Sequence, residues 1–225
     1  PVIYQAQHRD TNNDGTVNRF IWFLTADTGI NCTFESGDLT FPTAGDINIT
    51  TPTTCVINGA GTRLRANISA DANETGGAVA PTFQYLNQGT LNQLSDDKGN
   101  ATVSMAAPIT VDDDASPVAL SAQYKDTNVD GTVDRVDITF TADTGLACTI
   151  DAGDWTFPVP GQVGLATATS CLAAGNTIQL GVSAATGITG GATNPTITYT
   201  DQGTNNSAVD AANNDIFVNS IAATD

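Results

Sequence analysis

The stretch KDTNVDGTVDRVDITFTADTGLACT, residues 125–149, reads as a turn followed by a strand. Asp, Asn and Gly crowd positions 126–131, and such residues bond their own backbone or tolerate positive φ. Val136, Ile138 and Phe140 then alternate with Asp137, Thr139 and Thr141, the period-two pattern of a strand with one buried face. The stretch has already occurred once, as RDTNNDGTVNRFIWFLTADTGINCT at 9–33. Asp10 and Asp126, Cys32 and Cys148, and Cys55 and Cys171 each stand 116 residues apart, so the halves align without a gap through the second cysteine. Repetition on this scale means tandem domains, here 1–111 and 117–225 with an acidic linker at 112–116.

Working outward, each repeat opens on an alternating strand, 2–6 or 118–122, and the remaining apolar runs predict strands at 39–42, 47–50, 62–68, 81–86 and 101–107. Their equivalents are 155–158, 163–167, 177–183, 195–200 and 215–221, punctuated by Gly, Pro and Asn. Short strands at this spacing predict an all-β chain: two tandem antiparallel β-sandwiches of Ig-like size. In the first repeat Ile21 and Phe23 stand where Asp137 and Thr139 stand in the second, on the predicted solvent face. Two large apolar residues there imply a covered surface, an interface with a partner subunit or with a loop of the same domain.

The chain holds 24 acidic residues against 7 basic, a net charge of −17. Without a basic face to displace counterions from phosphates, nucleic acid is excluded as a partner. No apolar run is long enough for a membrane span. Twenty-two of the acids are Asp, a residue of turns and metal loops. Cys32 and Cys55, like Cys148 and Cys171, are 23 residues apart with no zinc-completing His or Cys nearby, so one disulfide per domain is the simplest account and four buried thiols the alternative. Disulfides place the chain outside the cytoplasm, extracellular or at the cell surface. Six Asn-x-Ser/Thr sequons, the last of them at 205–207, permit glycosylation there.

Calcium takes six to eight oxygens, and a loop with Asp or Asn at positions 1, 3, 5 and 9, a carbonyl at 7 and Gly at 6 supplies them. Asp10, Asn12, Asp14, Thr16 and Asn18 keep that spacing, as do Asp126, Asn128, Asp130, Thr132 and Asp134. Position 12 is Ile21 in the first copy and Asp137 in the second. With more carboxylates the second loop is expected to bind calcium more tightly, although such residues also make turns without an ion. The Asp112–Asp114 run repels itself unless a cation or solvent relieves it, so a calcium-rigidified junction and a solvated linker both stand. Asp27-Thr28-Gly29 and Asp143-Thr144-Gly145 resemble the paired signature of aspartic proteases, yet Thr-Ala precedes each Asp, and the preferred reading is a tight turn. His8, the single histidine, is replaced by Tyr124 in the second repeat and reads as a surface strand-edge residue.

The two loops resemble the calcium loops of dockerins and thrombospondin-type repeats, set between strands. Together with duplicated disulfide domains, acidity and scarce lysine, the chain resembles the Ig-like tandem repeats of prokaryotic cell-surface and extracellular filament proteins. That resemblance implies a structural subunit of a filament, surface layer or adhesin stalk, with calcium as cofactor and no enzymatic activity. Pro1 matches Pro117 and Asp225 falls near the phase of Asp112–Asp114, so copies of the chain are expected to assemble head to tail. The competing expectation is an adhesin or carbohydrate-binding module that meets a glycan through exposed aromatics such as Phe23, Tyr85, Trp155 and Tyr199.

Overall fold

Alternation builds strands by giving each one an apolar and a polar face, and the run after the second loop shows this directly. In Arg135–Phe140, Val136, Ile138 and Phe140 are fully buried while Arg135, Asp137 and Thr139 keep partial exposure. The computed structural model describes residues 1–25, 29–35, 37–58, 62–89, 93–151, 153–202 and 208–225. Asp27, Thr28 and the sequon at 205–207 lie outside the described residues. Among the described residues there is no helix, and so none long and apolar enough to cross a membrane. The chain divides into two units, Pro1–Ala115 and Ser116–Asp225.

Unit 1 contains β1 (Ile3–Arg9), β2 (Arg19–Leu24), β3 (Leu39–Thr43), β4 (Val56–Asn58), β5 (Arg63–Asn67), β6 (Thr82–Tyr85), β7 (Ile109–Thr110) and β8 (Asp112–Asp113). They form a five-stranded sheet, β4-β5-β2-β1-β8, and a three-stranded sheet, β3-β6-β7. Aromatic rings lock the two together. Phe20 of β2 packs 5.0 Å from Phe41 of β3 and 4.9 Å from Phe83 of β6, with Trp22 6.2 Å from Phe83. Burial of a large apolar side chain contributes roughly 1.5–3 kcal/mol, so this cluster is the main hold between the layers.

Unit 2 contains β9 (Ala119–Lys125), β10 (Arg135–Phe140), β11 (Ala147–Cys148), β12 (Trp155–Val159), β13 (Thr167–Ala174), β14 (Thr177–Ser183), β15 (Thr196–Tyr199), β16 (Ala208–Val209) and β17 (Ile221–Thr224). Seven of these make one continuous ladder, β12-β15-β17-β9-β10-β14-β13, and β11 pairs with β16. The joint is β17: Ile221 and Ala222 pair antiparallel with β15, while Ala223 and Thr224 pair parallel with β9. Both units are therefore all-β, and in unit 2 the strands of the two layers run on into one another through β17.

Several strand expectations are corrected. Residues 47–50 and 101–107 are largely irregular, and the strand expected at 163–167 begins only at Thr167 and runs to Ala174. Its sequence, TATSCLAA, lacks a large apolar face because β13 is an edge strand, exposed or half-exposed throughout. The 112–116 run is no free linker: Asp112 and Asp113 pair in parallel with Gln7 and His8 of β1. Each of the three carboxylates has a partner there, Asp112 from Gln5 Nε2 at 2.8 Å, Asp113 from His8 Nε2 at 3.0 Å and Asp114 from the Arg9 guanidinium.

Burial also changes the acid–base behaviour of the core. It pushes the Tyr85 hydroxyl up to about 12, with the Asp38 carboxylate adding to the effect. Since the usual value is 10.0, the folded state keeps the neutral phenol longer than the unfolded chain does. The resulting stability is intact below pH 10 and is lost as pH rises toward about 12. Denaturant unfolding of unit 1 is expected to become progressively easier over that window. Tyr85→Phe should flatten the dependence, and an unchanged slope would refute the assignment.

Candidate metal centre

The two Asp/Asn/Gly loops bridge equivalent strand pairs, β1 to β2 and β9 to β10, and fold alike. Each is closed at its base by a backbone bond of 3.0 Å, Asn18 N–H to Arg9 O and Asp134 N–H to Lys125 O. Inside, the leading carboxylate turns the chain around itself. Asp10 Oδ2 accepts the Gly15 amide at 2.8 Å, and Asp126 Oδ2 accepts the Gly131 amide at 2.8 Å. Both glycines need φ near +85°, which a side chain would oppose. Asp14 and Asp130 in turn accept the amides of Thr16 and Thr132 at 3.0 and 2.9 Å.

The copies differ in what fills their centres. In both, the amide at loop position 3 donates to the carboxylate at position 5, Asn12 Nδ2 to Asp14 Oδ2 at 2.7 Å and Asn128 Nδ2 to Asp130 Oδ2 at 3.1 Å, but the first alone adds Asn18 Nδ2 donating to Asn12 Oδ1 at 2.6 Å. Amide protons thus answer the loop's oxygens. In the second, Asp134 replaces Asn18 and brings acceptors only; it takes the Thr127 hydroxyl at 2.8 Å and the Thr127 amide at 3.0 Å. Desolvation opposes the Asp134 charge, but the bonds from Thr127 and the Asn128 amide outweigh it and hold the carboxyl below its usual range. Asp126, Asn128, Asp130 and Asp134 give a hard-oxygen donor set of the kind calcium takes, and Asp10, Asn12, Asp14 and Asn18 give a poorer one. Asp137 does not join them. It lies in β10, held by Lys125 Nζ at 2.6 Å and Arg135 Nε at 2.8 Å.

Loop position 4 carries backbone strain. Val129 sits at φ 61° and is 87% exposed, so a β-branched residue occupies the left-handed region with no packing in return, whereas the first loop has Asn13 at φ 54°. Left-handed backbone costs a residue with a branched Cβ about 1–2 kcal/mol, and Asn adopts it more readily. Val129→Asn is expected to stabilise unit 2 by about 1 kcal/mol in denaturant unfolding. A neutral or destabilising result would show that the loop relaxes on its own.

Other sequence-based expectations meet the structure unevenly. Cys32–Cys55 and Cys148–Cys171 are bonded, each with Cα atoms 5.9 Å apart. His8 is 2% exposed rather than superficial, its Nε2 3.1 Å from Thr75 O and 3.0 Å from Asp113. Ile21 is 1% exposed, closed over from within the chain, and so is not available to a partner. Phe23 is half-buried under the Arg63 guanidinium, 5.5 Å from its ring centre. Tyr85, Trp155 and Tyr199 are core residues, which removes them as a glycan platform. Asp143 Oδ1 accepts the Thr144 amide at 2.7 Å and Gly145 has φ 67°, as a tight turn requires.

Two duplicated aspartates were invisible to motif reading. Asp38 and Asp154, both buried, each accept two loop amides: Glu35 at 2.9 Å and Gln88 at 3.2 Å, Asp151 at 2.9 Å and Gln202 at 3.2 Å. Asp96 and Asp210 close matching turns with Asn100 and Asn214. The Asn100 amide, with backbone donors, holds the Asp96 carboxyl below its usual range. The signal available in sequence was their recurrence at equivalent places, which marks loop staples as readily as ligands. No protein-family model matches the chain, and neither a curated protein nor a solved structure matches it.

Proposed function

We propose that this chain is an extracellular structural protein, a repeat subunit of a filament, surface layer or adhesin stalk, built of two Ig-like sandwich units stiffened by calcium. The observation that carries this reading is duplication in detail: the same loop, closed by the same bonds, and the same disulfide recur in both units. A unique reaction centre has no need of such copying, whereas a repeating scaffold does. The disulfides fit an oxidising exterior. Asp126, Asn128, Asp130, Asp134 and the Thr132 carbonyl would hold one ion, and Asp10, Asn12, Asp14, Asn18 and the Thr16 carbonyl another. Bound calcium would supply positive charge that neutralises the loop carboxylates and fixes the turn between the first two strands of each unit. Electron microscopy of the purified chain with calcium and with chelator tests the reading. Ordered polymers that loosen on chelation are expected, and uniformly single particles in calcium would overturn it.

A further inference from the structure

The outer face of the five-stranded sheet in unit 1 concentrates positive charge in an otherwise acidic chain. Cross-strand register places Arg19 opposite Arg9, Ile21 opposite Arg65 and Phe23 opposite Arg63. Directly opposed residues share a face, and the other face of β2 and β5 is the buried one, with Phe20, Trp22, Leu64 and Ala66. Four of the chain's seven basic residues therefore tile this one surface. Ile21 lies among them yet is 1% exposed, so neighbouring stems cover it and the guanidinium groups stand on a packed floor.

Unit 2 has the same strands with a different balance. There Arg135 and Lys125 both grip Asp137, the counterpart of Ile21, so the face neutralises itself. In unit 1 Arg9 is engaged by Asp114, but among the described residues no carboxylate pairs with Arg19, Arg63 or Arg65. The Nε atoms of Arg19 and Arg63 are buried without a hydrogen-bond partner, as is that of Arg135, so what separates the two faces is the Asp137 carboxylate present in unit 2. Unpaired buried donors cost stability unless something answers them. Arginine beside aromatic residues, here Phe23 and the 58% exposed Tyr4, is also the composition of interface centres.

We infer that this arginine face is an assembly surface that takes the carboxylate-rich surface of unit 2 from a second copy of this chain. Charge complementarity selects that occupant: residues 117–225 carry 11 acidic residues against 2 basic, both bases are already engaged by Asp137, and outside the loop and the buried Asp154 and Asp210 the carboxylates of Asp143, Asp151, Asp201, Asp215 and Asp225 are at least partly exposed. Joining unlike surfaces makes a heterologous contact, which continues into an open filament where the rotation between copies does not close a ring. The inference rests on the self-assembly proposed above and assigns it a surface.

The test is sedimentation velocity of the full chain over a concentration series, in calcium and about 0.15 M salt, where exposed charges are screened beyond about 8 Å. Wild type should associate. R19E/R65E should raise the concentration for half-assembly by at least about tenfold while thermal unfolding stays unchanged, and R19K/R65K should fall between them. If the reversal does not fold, R19Q/R65Q keeps comparable side-chain length and reads the same effect. Assembly of R19E/R65E at the wild-type concentration would overturn the surface while leaving self-assembly standing. A wild type that stays monomeric throughout would overturn both. A sulfated polysaccharide that binds wild type but not R19E/R65E, with assembly unaffected, would replace the second copy as occupant.

Discussion

Adding calcium to chelator-treated protein is expected to stabilise unit 2 by about 2.7 kcal/mol once free ion exceeds the dissociation constant a hundredfold. For a unit of this size that is a rise of roughly 10 °C in unfolding midpoint. The gain should be smaller in unit 1. Its loop offers two carboxylates, Asp10 and Asp14, and the Asn18 amide, where the second loop has Asp134, spends a proton on the Asn12 oxygen. The second loop adds Asp134, whose carboxylate is already held in its charged form. D126N/D130N should therefore abolish most of the calcium-dependent shift of the full chain, and D10N/D14N only a minor part. Asn18→Asp should move the first loop toward the behaviour of the second. Calorimetry that found equal or tighter binding after D126N/D130N would refute the assignment of ligands.

Replacing Cys148 and Cys171 together by Ala is expected to cost unit 2 about 3 kcal/mol, the loop-closure estimate for cysteines 23 residues apart. That is a large share of the stability of an ordinary domain. The structure gives a reason for the full loss. Cys171 belongs to the edge strand β13, exposed or half-exposed along its length, and Cys148 to β11, which pairs with its neighbour at only two positions. Neither segment has a large apolar anchorage that could take over. Circular dichroism against denaturant should show the lower midpoint, and the same replacement at Cys32 and Cys55 should weaken unit 1 similarly. A change below about 0.5 kcal/mol, the scale of an indifferent surface substitution, would mean that packing alone fixes these strands.

Strand class and the two-unit plan were legible because Val136, Ile138 and Phe140 alternate with polar residues and because the same stretch occurs twice. What escaped depended on contacts between distant positions. Ile21 was placed on the correct face, but its burial comes from outer-face neighbours brought in by other strands, which local periodicity does not contain. His8 follows Ala6 in the core phase of β1, so the pattern did point inward; reading histidine as a surface residue overrode it. Asp112–Asp114 looked like a repelling run because Gln5, His8 and Arg9, more than a hundred residues earlier, supply the partners. In the candidate site, the internal hydrogen bonding of the two loops followed the spacing of Asp10, Asp14, Asp126 and Asp130. The disengagement of Asp137 did not, since Arg135 two residues away and Lys125 on the next strand hold it. β13 went unseen because an edge strand with little buried surface carries no apolar alternation.

In each unit the first and last strands lie side by side and run the same way, β8 along β1 and β17 along β9. The polypeptide thus enters at one end of that ladder and leaves at the other. Tension applied through the two termini of a unit would act along the strands and load their bonds together in shear, rather than peeling them apart one by one. In unit 1 the side-chain ties from Gln5, His8 and Arg9 to three successive aspartates lie on the same seam and would have to slip with it. Resistance to pulling follows from how the ends are tied, independently of how deep the core is.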